Sequence, residues 1–322
     1  MHEATNTLLV STITPCYHME RYLKGFLDRL PEQTFFSQME VVLDHNEPTD
    51  QEILWVREFQ KKYPGVIKHI VREKVDPIGV SMNRCILEAS GDLLAIWNVD
   101  DLRTPRSVES QARLLLEKPE IGFVYGNFKV VSGFGLTNGR YINVRHVPEA
   151  EFTRSMILGP FFMFRKTVCK QAGYFDEQLR SGADFDFAVR LALHSKGAVA
   201  LEDLGYYLNE SAGASTRPNS LQPIERTMIE LRYGIYDKIN YEYLPQATRY
   251  YISSLLQYGN WVSVGEFCPS YEEFILQRYK QWFLKGIRAF LRRNITRPLI
   301  VFLGVIRKSL MNIQRVVSFW KT

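Results

Sequence analysis

Residues Leu93 to Pro105 read LLAIWNVDDLRTP. Five apolar residues in a row, Leu93 to Trp97, give way at once to Asn98, Val99, Asp100 and Asp101, the pattern of a buried strand that delivers carboxylates to the end of a sheet. Pro105 then suits the first turn of a helix, where a missing N–H costs nothing. In open α/β sheets ligands bind at the carboxyl ends of the strands, which makes this turn a candidate site. The alternative is that Asp100 and Asp101 cap a helix starting at Thr104 or Pro105. The stretch alone does not choose between them.

The sequence on either side alternates strand and helix. Leu8–Ile13 predicts a strand closed by Thr14 and Pro15, Met19–Leu30 a helix, Met39–Leu43 a strand ending on Asp44, and Ile53–Tyr63 a helix stopped by Pro64 and Gly65. Val66–Val71 predicts a third strand, and Val80–Ala89 a helix ended by Gly91. Such alternation means βαβ units and a mostly parallel sheet, with Asp44, Asn98, Asp100 and Asp101 on one edge. Further on, Pro105–Lys118 predicts a helix, Gly122–Val131 one strand, Ser132–Arg145 a hairpin or flexible loop, and Phe161–Phe164 a strand. Phe185–His194 predicts a helix, Val199–Leu201 and Tyr206–Leu208 late strands, and Ser211–Pro218 a loop of small residues. Beyond Pro223 the pattern is helical without strands, which places a domain boundary near residue 220.

The 322 residues, 46% hydrophobic and 23% charged, suffice for one large core with an appendage or two modest domains. The net charge of +5 is unevenly spread: from Phe274 to Thr322 there are eleven Lys and Arg and no Asp or Glu, so the rest of the chain is net negative. A basic tail on an acidic body implies an anionic partner for the tail. Ile275–Leu291 and Leu299–Phe319 mix Lys and Arg with Trp, Phe and Leu, a composition that suits an anionic membrane surface or a helical subdomain with a solvated basic face. Leu299–Ile306 is far shorter than the ~20 apolar residues of a membrane-spanning helix. No recognition motif accompanies the charge, so nucleic acid is not expected as a partner. Cys16, Cys85, Cys169 and Cys268 are widely separated, which favours free thiols in a reducing compartment. The N-terminal residues carry no basic leader, and a signal peptide is not expected.

No Walker loop, dinucleotide-binding turn or H-E-x-x-H helix is present, which leaves ATPase, dinucleotide oxidoreductase and zinc hydrolase readings without support. An acidic set remains: Asp44, Asp100, Asp101, Asp184 and Asp186. Hard oxygen ligands of this type suit Mg²⁺ or Mn²⁺ held together with a substrate's phosphates.

In order along the chain, TITPCYH, VVLDHNEPTD, GVSMNRCILEASGDLLAIWNVDD and FRKTVCKQAGYFDEQLRSGADFDFAVRLAL resemble a family 2 glycosyltransferase of the GT-A fold, from about residue 8 to 215. The resemblance implies an α/β, Rossmann-like GT-A catalytic domain over residues 1–220, with a mostly parallel sheet flanked by helices, and a helical, basic, amphipathic region over 221–322. It implies inverting transfer of a sugar from a UDP, GDP or dTDP donor to a hydroxyl of a glycan or glycolipid, in cell-surface polysaccharide or glycolipid synthesis. Pro15 and Tyr17 correspond to the turn lining the nucleotide pocket, Asp44 to the residue that holds the base, and Asn46 to its neighbour at the ribose. Asp76 and Asn83 fall where members contact the donor. Asn98 and Asp100 occupy the D-x-D positions for diphosphate and metal, with Asp101 as a second metal candidate, and Asp184 takes the position of the catalytic base. Asn98 and Ala183 stand where the family has acids, and Leu208 and Glu210 where it has Y-R-x-H. Those departures motivate the alternative of a non-catalytic subunit that binds a glycan or partner protein. Without the resemblance, Asp184 reads equally well as a helix cap. A pyrophosphorylase would need a Gly-rich loop after the first strand, and Thr14–Met19 has no glycine. The expected location is cytoplasmic, peripheral on the inner face of the membrane through 275–322.

Overall fold

The computed structural model describes residues 9–148, 151–152, 156–210 and 220–291. Its first strand, β1 (Val10–Tyr17), runs through Pro15 instead of stopping before it. The neighbouring strands explain this. Parallel β2 (Met39–Asn46) pairs along the whole of β1, whereas β4 (Leu93–Ile96) on the other side ends opposite Ile13. From Thr14 onward β1 is an edge, where proline is tolerated. β2 is buried at all eight positions and continues to Asn46 for the same reason: β3 (Ile67–Arg72) pairs with it as far as Asn46. Fully buried parallel strands need apolar runs, and IWN marks where β4 stops being one.

The helices α1 (Glu20–Arg29), α2 (Asp50–Lys62) and α3 (Ile78–Glu88) connect these strands. α2 begins in a capping box, with Thr49 and Glu52 each bonded to the other's backbone N–H. After Asp101 the chain does not enter a helix. Leu102–Arg103 (β5) pairs antiparallel with β11 (Gly205–Leu208), and α4 (Ser107–Glu117) starts only after Pro105 and Arg106, with no side-chain cap. The cap reading of Asp100 and Asp101 is therefore excluded.

The predicted strand at 122–131 is two strands, β6 (Ile121–Gly126) and β7 (Phe128–Val131), which lie in different sheets. Asn127 marks the crossing: its carbonyl accepts from Leu204 N and its side-chain oxygen from Val144 N. β8 (Arg140–Ile142) returns as a hairpin on β7, and β9 (Met163–Arg165) inserts antiparallel between β4 and β6. After α5 (Cys169–Ala172) and α6 (Ala183–His194), β10 (Lys196–Ala200) joins the far edge beside β6. The main sheet is thus β10-β6-β9-β4-β1-β2-β3, parallel except for β9, and the smaller sheet is β5-β11-β7-β8. Its core includes Trp97, Phe26, Phe161 and Met163. The four cysteines are buried and free.

The boundary expected near residue 220 lies later, because the compact units are Met1–Tyr271 and Glu272–Thr322. α7 (Gln222–Arg232) and the short α8 (Leu244–Ala247) belong to the first unit, as does a hairpin that the helical reading missed, β12 (Ser254–Gln257) and β13 (Asn260–Ser263). Tyr258 and Gly259, with φ of 50° and 75°, supply the two left-handed positions of a tight hairpin turn. α9 (Val264–Phe267) follows. An ion cluster ties this segment to the sheet domain: buried Arg232 donates to Asp186 at 2.7 Å and pairs with Asp176 at 2.9 Å, while Arg190 holds the other oxygen of Asp186 at 2.7 Å. In the second unit, residues 272–291 continue helix α10 (Tyr271–Leu291). Among the described residues no helix is long and apolar enough to cross a membrane. The 211–218 loop and the tail beyond 291 lie outside the described residues.

Candidate functional site

β1, β2 and β4 are parallel and in register, so their carboxyl ends share one edge of the sheet. Pro15 faces Asp44 and Tyr17 faces Asn46 across the β1/β2 ladder, and the Asn98–Asp101 turn follows directly from β4. His18 and Glu47, just past the ends of β1 and β2, have φ of 53° and 45°. Left-handed backbone at non-glycine residues concentrates at functional sites. Cys16, beside His45 and Glu52, has its thiol pushed well up by burial first and then by the charges of Glu52, Asp100 and Asp44.

Asp44, Asn46 and Asp76 form one cluster, but not as a bare base-binding carboxylate. Asp44 is fully buried, and Arg84 donates to both of its oxygens at 2.7 Å. Ser81 also bonds to Asp44, and Asn46 Nδ2 approaches it at 3.2 Å. Arg84 reaches on to Asp76, whose backbone N–H is held by Asn46 Oδ1 at 3.1 Å. Desolvation opposes the charge on Arg84, but the two carboxylates outweigh it and raise its pKa. The group this cluster offers to solvent is the partly exposed Arg84–Asp76 pair, with Asp44 as its anchor. The sequence reading passed over Arg84. The signal was there: Ser81 and Arg84 are three apart on α3, hence on one face, and both meet Asp44.

Asn83 is placed differently from its expected donor role. It is 1% exposed and its amide is spent on Phe175 O, Phe175 N and Glu177 Oε1 at 2.8–2.9 Å, so it pins the GYFDE segment to α3. Asp101 is also turned inward. It is 1% exposed, accepting from Leu208 N at 3.0 Å and from Asn98 Nδ2 at 3.4 Å, and it fixes the turn to β11 instead of presenting a metal ligand. Beneath it, buried Arg103 bonds to Ile96 O and Gln111, and burial pulls its pKa down to about 9 against the pull of Asp101.

Asp100 is half-buried, and among the described residues no cationic side chain pairs with it. Burial raises its pKa, and so does the charge of Glu210, which is itself bonded to Arg21 and Tyr22 at 2.9 Å. Two hard carboxylate donors of this kind fit a divalent cation of the Mg²⁺ or Mn²⁺ type. Glu210, set aside as a departure from the family, is the residue the structure adds to the site.

Asp184 is the second residue of α6, not its cap, and its side chain accepts from Phe185 N at 2.8 Å. Its side chain is accessible, yet protein surrounds it closely enough that poor solvation, with the charge of Glu225 adding to it, pushes the carboxyl up. Accessibility governs whether a substrate can reach the group, and the surrounding protein governs its proton affinity.

On the opposite face of β2, His45 sits between Glu52, at 3.4 Å, and His69, at 3.2 Å. Burial pushes His69 down to about 4, and burial lowers His45 as well, against the pull of Glu52. Both are neutral in the fold at pH 7, while the unfolded chain takes up protons near 6.5. Stability therefore falls as pH drops from about 6.5 toward 4, by about 2 kcal/mol once the partial exposure of His69 is allowed for. Urea midpoints measured across this range should show the slope, and His69→Gln should flatten it; an unchanged slope contradicts the assignment.

Over 202 residues, covering 61% of this chain, the sequence is 25% identical to poly(ribitol-phosphate) beta-N-acetylglucosaminyltransferase TarS of Staphylococcus aureus (strain MW2), and the match spans 35% of that protein. The chain therefore matches about a third of the length of that relative. It is 26% identical over 192 residues to an uncharacterized glycosyltransferase, MJ1057, of Methanocaldococcus jannaschii, covering 56% of this chain and 64% of that one. The fold resembles the crystal structure of S. aureus TarS 1–349 in complex with UDP-GlcNAc, with a TM-score of 0.57 at 19% identity, covering 74% of this chain and 69% of that chain. It also resembles the mannosyltransferase PcManGT of Pyrobaculum calidifontis in complex with GDP-Man and Mn²⁺, with a TM-score of 0.50 at 16% identity over 89% of this chain and 81% of that one. The sequence pattern described as "Glycosyl transferase family 2" matches residues 11–173, half of the chain, and the protein belongs to that family.

Proposed function

We propose that this protein is an inverting glycosyltransferase that moves a sugar from a nucleotide-diphosphate donor to a hydroxyl of a cell-surface polysaccharide or glycolipid. The observation that carries the reading is Asp100: a half-buried carboxylate without a cationic partner among the described residues, beside Glu210, at the edge where parallel sheets bind ligands. Asp100 and Glu210 would hold a Mg²⁺ or Mn²⁺ ion. Such an ion, when bound, offsets the charge that develops on a diphosphate leaving group. Pro15 and Tyr17 line the nucleotide side, Asn98 lies by the diphosphate, and Arg84, held by Asp44 and Asp76, meets the base. Asp184 takes the proton from the acceptor hydroxyl as that oxygen attacks the sugar carbon from the face opposite the diphosphate. A carboxyl raised above its ordinary range is a stronger base for this step once ionised.

The relatives named above for UDP-GlcNAc and GDP-Man favour a UDP or GDP donor over dTDP. The basic residues of 275–322, with exposed Leu276 and Leu284 in the described part, suit docking to an anionic membrane surface, where a glycolipid acceptor would be found. A panel of UDP, GDP and dTDP sugars with Mn²⁺ tests the reading: one donor should be transferred or slowly hydrolysed. If none is turned over and none binds, the alternative of a non-catalytic binding subunit takes its place.

A further inference from the structure

The three successive N–H groups that lead into α6, just ahead of Asp184, are claimed by a single side chain from another part of the chain. Glu225, fully buried in the first turn of α7, accepts from Arg180 N at 2.9 Å through Oε1 and from Ser181 N and Gly182 N at 2.7 and 2.8 Å through Oε2. Tyr250 OH completes the set at 3.1 Å. Gly182 is the residue that precedes α6, and a Cβ there would meet Ile229 Cδ1 at 3.0 Å and Glu225 Cβ at 3.3 Å, so the loop lies directly against α7. The carboxylate thereby satisfies the N–H groups of the three residues that lead into α6 and places negative charge near the positive pole of that helix. α6 has no side-chain cap of its own, and the Asp184 carboxylate in its first turn accepts from Phe185 N at 2.8 Å.

We propose that Glu225 is a positioning residue for Asp184: it fixes the 180–182 loop and so sets where that carboxylate stands relative to the acceptor. The inference rests on reading Asp184 as the base. It also gives the segment after residue 220, which lies outside the family match, a part in the reaction. The charge of Glu225 is among the causes that raise Asp184, whereas Asp186, two residues further on, is turned away and neutralised by Arg190 and Arg232. On the Glu225 side the facing groups are Tyr250 and the Arg180 backbone, with no metal candidate among them.

The test compares Glu225→Gln and Glu225→Asp in the full-length chain. Glu225→Gln removes the charge and sets an amide against N–H donors. It should lower kcat about 10- to 100-fold through misplacement of the base, leave the donor KM within about twofold, since no donor-binding group is touched, and move the acid limb of the pH profile to lower pH. Glu225→Asp keeps the charge but shortens the reach, so it should lower kcat with the limb in place. Should Glu225→Gln fail to fold, the Glu225→Asp pattern decides alone. A folded variant with wild-type kcat and wild-type limb overturns the proposal. A carbon-13 titration of the Asp184 carboxyl gives a readout free of turnover. If no donor is turned over but Glu225→Gln still lowers the Asp184 titration, the catalytic reading has failed and the coupling stands; an unmoved titration removes the coupling.

Discussion

Asp184→Asn should lower kcat by about 10²–10⁴-fold while changing stability by less than about 1 kcal/mol. The two halves of that expectation come from different observations. The loss follows from replacing the base by an amide of the same shape that cannot accept a proton. The small stability change follows because Asp184 is exposed, is not the cap of α6, and accepts from its neighbour Phe185, a bond that the side-chain oxygen of Asn can keep. The wild-type rate should rise with pH through a limb displaced above the ordinary carboxylate range, because the base works deprotonated and its environment favours the proton. That limb should disappear in the variant. Rate–pH profiles and urea denaturation measure both. A variant with full activity, or one that loses rate only because it unfolds, contradicts the assignment.

The largest stability effect is expected at Arg232. Its guanidinium is fully buried and joins Asp186 and Asp176 to the carbonyls of Tyr251, Ile252 and Ser254 at 2.7–2.9 Å. Arg232→Met leaves two buried carboxylates short of their cation, and removing one partner of such a pair costs about 3–5 kcal/mol. For a folded unit of this size that corresponds to a fall in Tm of about 10 °C. Lys24→Met, at the exposed Lys24–Asp28 pair, is the control and should cost less than about 1 kcal/mol. Thermal unfolding of the two variants discriminates: equal, small shifts would mean that the 222–271 segment does not depend on the ion cluster for its attachment.

Periodicity was enough for the parallel sheet, since β2, β4 and the helices between them repeat on scales that local sequence records. It failed where pairing depends on distant residues. Pro15 read as a stop because a proline is an edge signal, and only the short length of β4 shows that β1 has an edge there. Asp101 read as a ligand because the sequence places two carboxylates together but does not show that one of them bonds to Leu208, more than a hundred residues away. Asn83, Arg84 and Glu225 share this property: each acts through a partner remote in sequence. The hairpin at 254–263 was missed for a different reason, a Tyr-Gly turn in place of the Asn-Gly or Asp-Gly that usually marks one. Asp100 and Asp184 were singled out by the family resemblance, because local order alone left each balanced between a role in the site and a helix cap.

Calorimetric titration of UDP, GDP and dTDP into the wild-type protein and Asp100→Asn, each with and without Mn²⁺, tests the site most directly. The expected result is that one nucleotide binds, that Mn²⁺ tightens it at least about tenfold in the wild type, and that the gain is lost in Asp100→Asn. Binding of no nucleotide, or an equal Mn²⁺ effect in the variant, would contradict the placement of the metal and diphosphate at Asp100.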